Sequence, residues 1–371
     1  MKITTAFLAL TLAGSPPIGR VVAHTPAQNV AHNIAQNTDV RIGVFSLFHP
    51  HQLAVSAPAG SALVVHAAGD SFVLEASSGV NVAHIRVRAG DVVLEVGTQI
   101  FHAPEVTVTN RENSPGAFNL AIPGKIKRRY CGTLEVKPAS GTLTAVVTMD
   151  LETAVSSVVA AESTPDTLSE ALKSLAVASR SYFVAGKRRH HDFDFCDTTH
   201  CQFLREVPAT DSAAAKATIA TRGLVMAYQS HAVAAMYTRS CSGRTRIPAE
   251  LGLPPASYPY YSVDCKYCRQ HPARWRTRLS AEDAATLRSS NESSRLALDR
   301  RLGWNTVPSN TFIVRKEGEQ IVVRGVGQGH GIGLCQAGAG AMAKEGADFH
   351  EILAHYYPNT VVVTAGAAPP R

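Results

Sequence analysis

From Val40 to about Val147 the chain alternates short β-branched runs with turn residues. Ala62-Leu63-Val64-Val65, Ile85-Arg86-Val87-Arg88 and Asp91-Val92-Val93-Leu94-Glu95-Val96 are such runs. Pro58-Ala59-Gly60, Ala68-Gly69-Asp70, Asn113-Ser114-Pro115-Gly116 and Pro138-Ala139-Ser140-Gly141 break between them. Short apolar segments punctuated in this way predict strands of a sandwich or barrel. At Leu151 the pattern changes. Thr153 to Ala161 reads as a small apolar helix ending at Glu162, followed by the turn Ser163-Thr164-Pro165-Asp166. Leu168, Leu172, Leu175 and Tyr182 then recur at the spacing of an amphipathic helix that runs to Gly186, and Thr167 with Glu170 fits a capping box at its start.

Further helices are predicted at 213–221, at 280–302 behind a Ser280 cap, near Leu334 to Glu345, and from Asp348 with Glu351 to Tyr357. Gly223 to Tyr228 and Ala232 to Tyr237 read as a hairpin turning at Gln229-Ser230, and Thr311 to Arg324 as two strands around Glu317-Gly318. Residues 244–275, rich in Pro and Tyr, read as loop. The expected fold class is α+β. A β-rich domain at 40–147 precedes a mixed α/β domain at 148–360, with a lead-in at 24–39 and a tail at 361–371.

The first residues carry Lys2 and then an apolar run from Ile3 to Gly14, too short to span a bilayer and suited to a secretory leader cut near Val21-Val22-Ala23. A signal peptide over 1–23 predicts export to the periplasm, the cell wall or the medium. The 371 residues, 45% hydrophobic and 18% charged, are those of a globular protein with room for two domains. The net charge of +7 becomes +5 once Lys2 and Arg20 leave with the leader, a balance that draws a chain towards polyanions such as cell-wall polymers. No basic-aromatic signature or finger spacing argues for nucleic acid.

Glu162 is the candidate acid, because Glu170 has a structural task in the capping box and Glu162 follows the apolar Val158 and Val159. Downstream, His190, His191, Cys196, His200 and Cys201 offer imidazole and thiolate ligands within a short span, a donor set that favours a structural zinc. A small Cys196–Cys201 disulfide is the alternative. Of the seven cysteines, an odd number, Cys131, Cys241, Cys265, Cys268 and Cys335 have no pairing that spacing can assign. Cys265-Lys266-Tyr267-Cys268 reads as part of a structural disulfide, with Cys241 as a further partner; a second metal site that also draws on Cys241 or Cys335 is the alternative. The turn from Gly325 to Gly333 has glycine at every second position and satisfies neither GxGxxG nor a phosphate-loop pattern, so no nucleotide is expected. Its glycines would let the backbone approach a ligand, with His330 projecting.

Several of these segments, in this order, resemble the stage II sporulation protein D family (SpoIID/LytB domain). They are the Glu162 segment, Glu170 to Tyr182, Asp194 to Gln202, Ala220 to Val225, Tyr237 to Thr245, Gly327 to Gln336 and Ile352 to Pro358, spread over about 140–360. The chain departs from the family at Glu162-Ser163-Thr164, where members read Glu-Met-Pro, and at Ser174-Leu175, where they read Ala-Gln. The resemblance implies a SpoIID-like catalytic domain with a substrate groove. It further implies a lytic transglycosylase that cuts peptidoglycan glycan strands stripped of stem peptides. Glu162 would be its one catalytic residue, Arg180, Tyr182, His330 and Gln336 would line or support the groove, and zinc would sit on His190 or His191 with Cys196, His200 and Cys201. Other members of the family activate a cell-wall amidase, which is the alternative reading and would make that amidase a partner.

Overall fold

The computed structural model describes residues 39–186, 189–287, 291–318 and 320–365. The expected leader at 1–23, the lead-in as far as residue 38, Lys187 with Arg188, and residues 366–371 lie outside them.

The first half is strands: β1 (Asp39–Val44), β2 (Gln52–Ser56), β3 (Ala62–Ala67), β4 (Asp70–Glu75), β5 (Val82–Arg88), β6 (Asp91–Val96), β7 (Gln99–Ala103), β8 (Val106–Asn110), β9 (Gly116–Ile122), β10 (Ile126–Ala139) and β11 (Thr142–Asp150). Then come α1 (Leu151–Glu162), α2 (Ser169–Ala185), β12 (Phe195–Cys196), α3 (Ala213–Ala220), β13 (Leu224–Tyr228), β14 (His231–Ala232) and β15 (Tyr237–Thr238). The chain continues through α4 (Lys266–Gln270), β16 (Arg274–Leu279), α5 (Ala281–Thr286), α6 (Glu292–Leu302), β17 (Phe312–Glu317) and β18 (Gln320–Val326). It ends with β19 (Leu334–Cys335), α7 (Gln336–Lys344), α8 (Phe349–Tyr356) and β20 (Val361–Thr364). The class is α+β, as the pattern predicts.

β1 to β12 form a 12-stranded sheet whose main path runs β12-β1-β11-β10-β9-β2-β5-β6-β7, while β8 pairs with β10 and β3 joins β8 to β4. β10 is the shared strand. Its residues 126–132 pair with β9, and its residues 133–139 pair with β11, so the ladder changes partner at Gly132. A Cβ at Gly132 would collide with the Thr148 carbonyl, which explains glycine at the crossover. Alternation puts Leu63, Val65 and Ala67 of β3 inward, and likewise Tyr130, Leu134 and Val136 of β10. The pairing is antiparallel except where β12 lies parallel to β1.

α1 starts directly off β11, with the Asp150 carboxylate accepting the N–H groups of Glu152 and Thr153. α2 starts without a side-chain cap, so the expected Thr167–Glu170 box is not formed. Thr167 Oγ1 accepts the Thr164 N–H instead, and Glu170 accepts the N–H of Phe349 at the start of α8. Glu170 is structural, but for a different helix. Nor is α2 amphipathic: Ala171, Leu172 and every position from Ser174 to Phe183 are buried. Its Ala and Ser residues admit neighbours from all sides, which is the pattern of a core helix.

Two other expectations change. The helix drawn over 280–302 is divided into α5 and α6, because Asn291 caps a new start by accepting the Ser294 N–H. Residues 361–364, placed in the tail, are strand β20 on β13, and the main apolar cluster runs without interruption from Val40 to Tyr357. Residues on both sides of the boundary expected between 147 and 148 belong to that cluster. A smaller core of Leu287, Leu298, Val307 and Val323 lies under the β16-β18-β17 sheet.

Arg180 joins four elements. Its Nε and Nη2 donate to the two Glu152 carboxylate oxygens at 2.8 and 2.7 Å, and other N–H groups reach the Leu224 and Thr218 carbonyls. The arginine side chain is fully buried and that of Glu152 is 16% exposed. Breaking such a pair strands a charge in the core, so Glu152→Ala should lower stability by about 3–5 kcal/mol in urea unfolding. Replacing both partners, Glu152→Leu with Arg180→Met, should cost much less; equal losses in the single and double variants would show that the stranded charge is not the cause.

Candidate functional site

Glu162 is the last residue of α1 and is half-buried, above Val158 and Val159, which are fully buried. The final carbonyls of a helix lack intrahelical partners. Here the Glu162 carbonyl accepts from Arg239 Nη1 at 2.9 Å and from Gln336 Nε2 at 3.4 Å. Burial pushes the Glu162 carboxyl up to about 7, against the smaller opposing pull of Gln336, Arg239 and Arg205. The negative end of α1 acts in the same direction as burial. Among the described residues the charged groups acting on this carboxyl are Arg239 and Arg205, and no carboxylate. Gln336 Oε1 is buried without a hydrogen-bond donor among the described residues. The arrangement therefore favours a carboxylic acid that is protonated near neutrality and can both give and take a proton.

The second group is His190, Cys196, His200 and Cys201, whose ligand atoms all lie within 4.8 Å of one another. His190 Nε2 is 3.3 Å from Cys201 Sγ, and His200 Nδ1 lies 3.5 Å from Cys201 Sγ and 3.8 Å from Cys196 Sγ. Two sulfurs and two imidazoles at this separation fit one tetrahedral metal ion. The Cys196 thiol is drawn down, first by the neighbouring Cys201 and then by His200 and Thr198, so a thiolate is already favoured. Pairing of β12 with Ile42 and Gly43 of β1 fixes the loop, and the buried Asp197 anchors it through Arg128 at 2.7 Å. Gly43 is required because Phe193 packs where a Cβ would stand.

His191 does not join this group. Its side chain is 97% exposed and turns to Asp192. Arg180 and Tyr182, expected at a groove, are in the interior: Arg180 holds Glu152, and Tyr182 packs on Phe195 beneath the Arg189 guanidinium. Gln336 does reach Glu162. His330 is half-buried, accepts the Ile332 N–H on Nδ1, and is pushed down to about 4 by burial, with Glu292 and Arg295 as its charged neighbours. The glycines around it bring the backbone close to the chain itself: a Cβ at Gly329 would strike Thr238 Oγ1, and one at Gly333 the Met236 carbonyl. Gly327, Gly329, Gly331 and Gly333 all have positive φ.

Two concavities among the described residues lie away from Glu162. One of about 210 Å³ lies by Tyr228, His231 and Tyr258, and one of about 140 Å³ by Arg41, Glu135 and Asp192. The acid stands beside the exposed Arg239. The disulfide expected at Cys265 and Cys268 is also absent, since both are free thiols grouped with Cys241 and Cys335.

Sequence reasoning missed Arg239, Arg205, Tyr237 and Gln202. The Tyr237 hydroxyl donates to Gln202 Oε1 at 3.0 Å, Gln202 exchanges hydrogen bonds with Ser179 of α2, and Glu162 acts electrostatically on Tyr237. This network links the His/Cys loop to the acid. Arg239, Tyr237 and Gln202 lie within the motif segments Tyr237 to Thr245 and Asp194 to Gln202, which was the available signal.

The model of the SpoIID family, described as stage II sporulation protein, matches residues 139–228, which contain Glu162, the His/Cys group and Gln202. An uncharacterised protein of Brachyspira hyodysenteriae is 28% identical over 268 residues, 63% of this chain and 72% of that protein. The amidase enhancer of Bacillus subtilis is 40% identical over 60 residues, 16% of this chain and 8% of its own. Stage II sporulation protein D of Bacillus subtilis is 40% identical over 67 residues, 18% of this chain and 19% of its own. The chain thus spans only a small part of those two relatives.

A carboxyl raised from 4.5 to about 7 is largely neutral in folded and unfolded chains at pH 4, costs stability progressively as pH rises from about 4.5 to about 7, and adds no further cost above that. Glu162→Gln should therefore match the parent's unfolding midpoint near pH 4 and exceed its stability near pH 8 by roughly 1–3 kcal/mol. A variant less stable than the parent at both values would rule out the strained acid.

Proposed function

We propose that this chain, whose residues 139–228 carry the SpoIID family pattern, acts on the bacterial cell wall as an exported lytic transglycosylase with Glu162 as its one acid and base. The observation that carries this reading is the Glu162 carboxyl itself, raised to about 7 with no carboxylate acting on it among the described residues. A hydrolase of the two-carboxylate kind needs a partner acid across the bond. One acid suffices when the attacking hydroxyl belongs to the substrate.

The protonated Glu162 gives its proton to the glycosidic oxygen, and the bond from that oxygen to the muramyl C1 breaks. The resulting carboxylate takes the proton of the muramyl 6-hydroxyl, whose oxygen bonds to C1 and closes a 1,6-anhydro ring. No water is consumed, and Glu162 ends protonated as it began. Arg239 and Gln336 position the acid through its backbone carbonyl, and Arg239 also tempers its proton affinity. His190, Cys196, His200 and Cys201 would hold a structural zinc that fixes the loop carrying Gln202, hence Tyr237, beside the acid. A second reading draws on the likeness to a protein named amidase enhancer: the same surface would bind glycan and raise the turnover of a cell-wall amidase without cleaving it.

Mass spectrometry of products from denuded glycan strands separates the two. The parent chain should release anhydro-muramyl ends, and Glu162→Gln should release them roughly 100- to 10,000-fold more slowly. Equal release by both would remove Glu162 from the chemistry, and intact strands together with a faster amidase would establish the second reading. Because the working form is the neutral acid, activity should fall as pH rises through about 7. Arg239→Gln, which removes a positive charge, should move that alkaline limb to higher pH; an unmoved limb would mean that another group titrates.

A further inference from the structure

Cys241, Cys265, Cys268 and Cys335 come from three separate stretches of chain, yet none is more than 2% exposed. Their sulfurs all lie within 4.8 Å of one another, with Cys268 and Cys335 3.5 Å apart, and none is in a disulfide. Four sulfurs bound to one zinc at about 2.3 Å stand about 3.8 Å apart at the corners of a tetrahedron. The observed spacing is of that size, and too tight for a cluster of several irons.

The surroundings suit thiolates rather than thiols. Cys335 Sγ accepts the N–H groups of Cys241 at 3.3 Å and of Gly338 at 3.4 Å, as the cap of α7. The Ser240 hydroxyl is 3.4 Å from Cys268 Sγ, and the Tyr356 hydroxyl 3.5 Å from Cys265 Sγ. Donors aimed at the ligand sulfurs are the usual outer shell of a metal–thiolate site. α7 comes in so close that a Cβ at Gly338 would stand 2.6 Å from Cys265 Sγ.

We propose that Cys241, Cys265, Cys268 and Cys335 bind one zinc ion as a structural tetrathiolate centre, separate from the His/Cys group. Soft sulfur in tetrahedral array selects zinc over magnesium or calcium. Cys335 directly precedes Gln336, and Cys241 follows Arg239 by two residues, so the ion clamps together the two strands that present both side chains to the Glu162 carbonyl. α4, through Cys265 and Cys268, closes the centre from the other side. The centre stands whether or not Glu162 is catalytic.

Metal content of the full chain, measured by mass spectrometry after exhaustive dialysis, tests it. The expected result is two zinc ions per chain, falling to one in Cys265→Ser/Cys268→Ser and also to one in Cys196→Ser/Cys201→Ser. One ion in the parent, unchanged by Cys265→Ser/Cys268→Ser, would overturn the proposal, as would iron in place of zinc. Should Cys265→Ser/Cys268→Ser fail to fold, the parent gives the answer by denaturation in chelator and alkylation without reductant. All four cysteines should then be alkylated, whereas four protected as two disulfides would overturn the proposal. Cobalt added to the metal-stripped Cys196→Ser/Cys201→Ser variant should show the charge-transfer absorption of four thiolates, and a spectrum of cobalt in water would overturn it.

Discussion

The site depends on a very short pairing, the parallel bridge of Tyr237 and Thr238 with Leu334 and Cys335. Two residues on each side are too few to hold themselves together in water. The contact persists because the glycine turn before Leu334 lies flat against Met236 and Thr238, and because the Tyr357 hydroxyl accepts the Leu334 N–H and donates to the Met236 carbonyl. From this bridge Arg239 and Gln336 extend to the end of α1, where they meet a carboxyl that burial has made a weak acid.

Much of the architecture was legible because it rests on local rules. The strand half followed from β-branched runs and their breakers, the hairpin at Gln229-Ser230 from turn chemistry, and α8 from the reciprocal Asp348–Glu351 cap. The misreadings occurred where tertiary contacts outweigh local pattern. Glu170 fits a box with Thr167 on paper, but the Phe349 N–H, nearly two hundred residues away, is the donor it meets. Arg180, expected to line or support the groove, is fully buried and paired with Glu152. Alternating glycines signalled a close backbone approach correctly; nothing in the spacing told whether the approached body was a ligand or residues 236–240.

The candidate site shows the same division. Glu162 was nameable from its place after an apolar run and Gln336 from the family resemblance, and the four ligand positions of the first metal-type group were contained in the five proposed, with His191 excluded only by the direction of its side chain. Arg205 lay outside every motif segment and read as solvated surface, while Arg239 lay inside the Tyr237 to Thr245 segment but had no visible acid partner to single it out. The relation of Cys241, Cys265, Cys268 and Cys335 was hidden for a simpler reason: their meeting requires α4, α7 and β15 to be folded against one another.

The same grouping explains the odd cysteine count. The two clusters account for six of the seven, and Cys131, half-buried on β10, is the remainder. Burial pushes its thiol up, outweighing the nearby Arg129, so little of it is in the nucleophilic thiolate form at neutral pH. That keeps the unassigned sulfur sluggish towards disulfide exchange. The same position offers the chemist a solitary anchoring point for a probe, on the strand that both halves of the large sheet share.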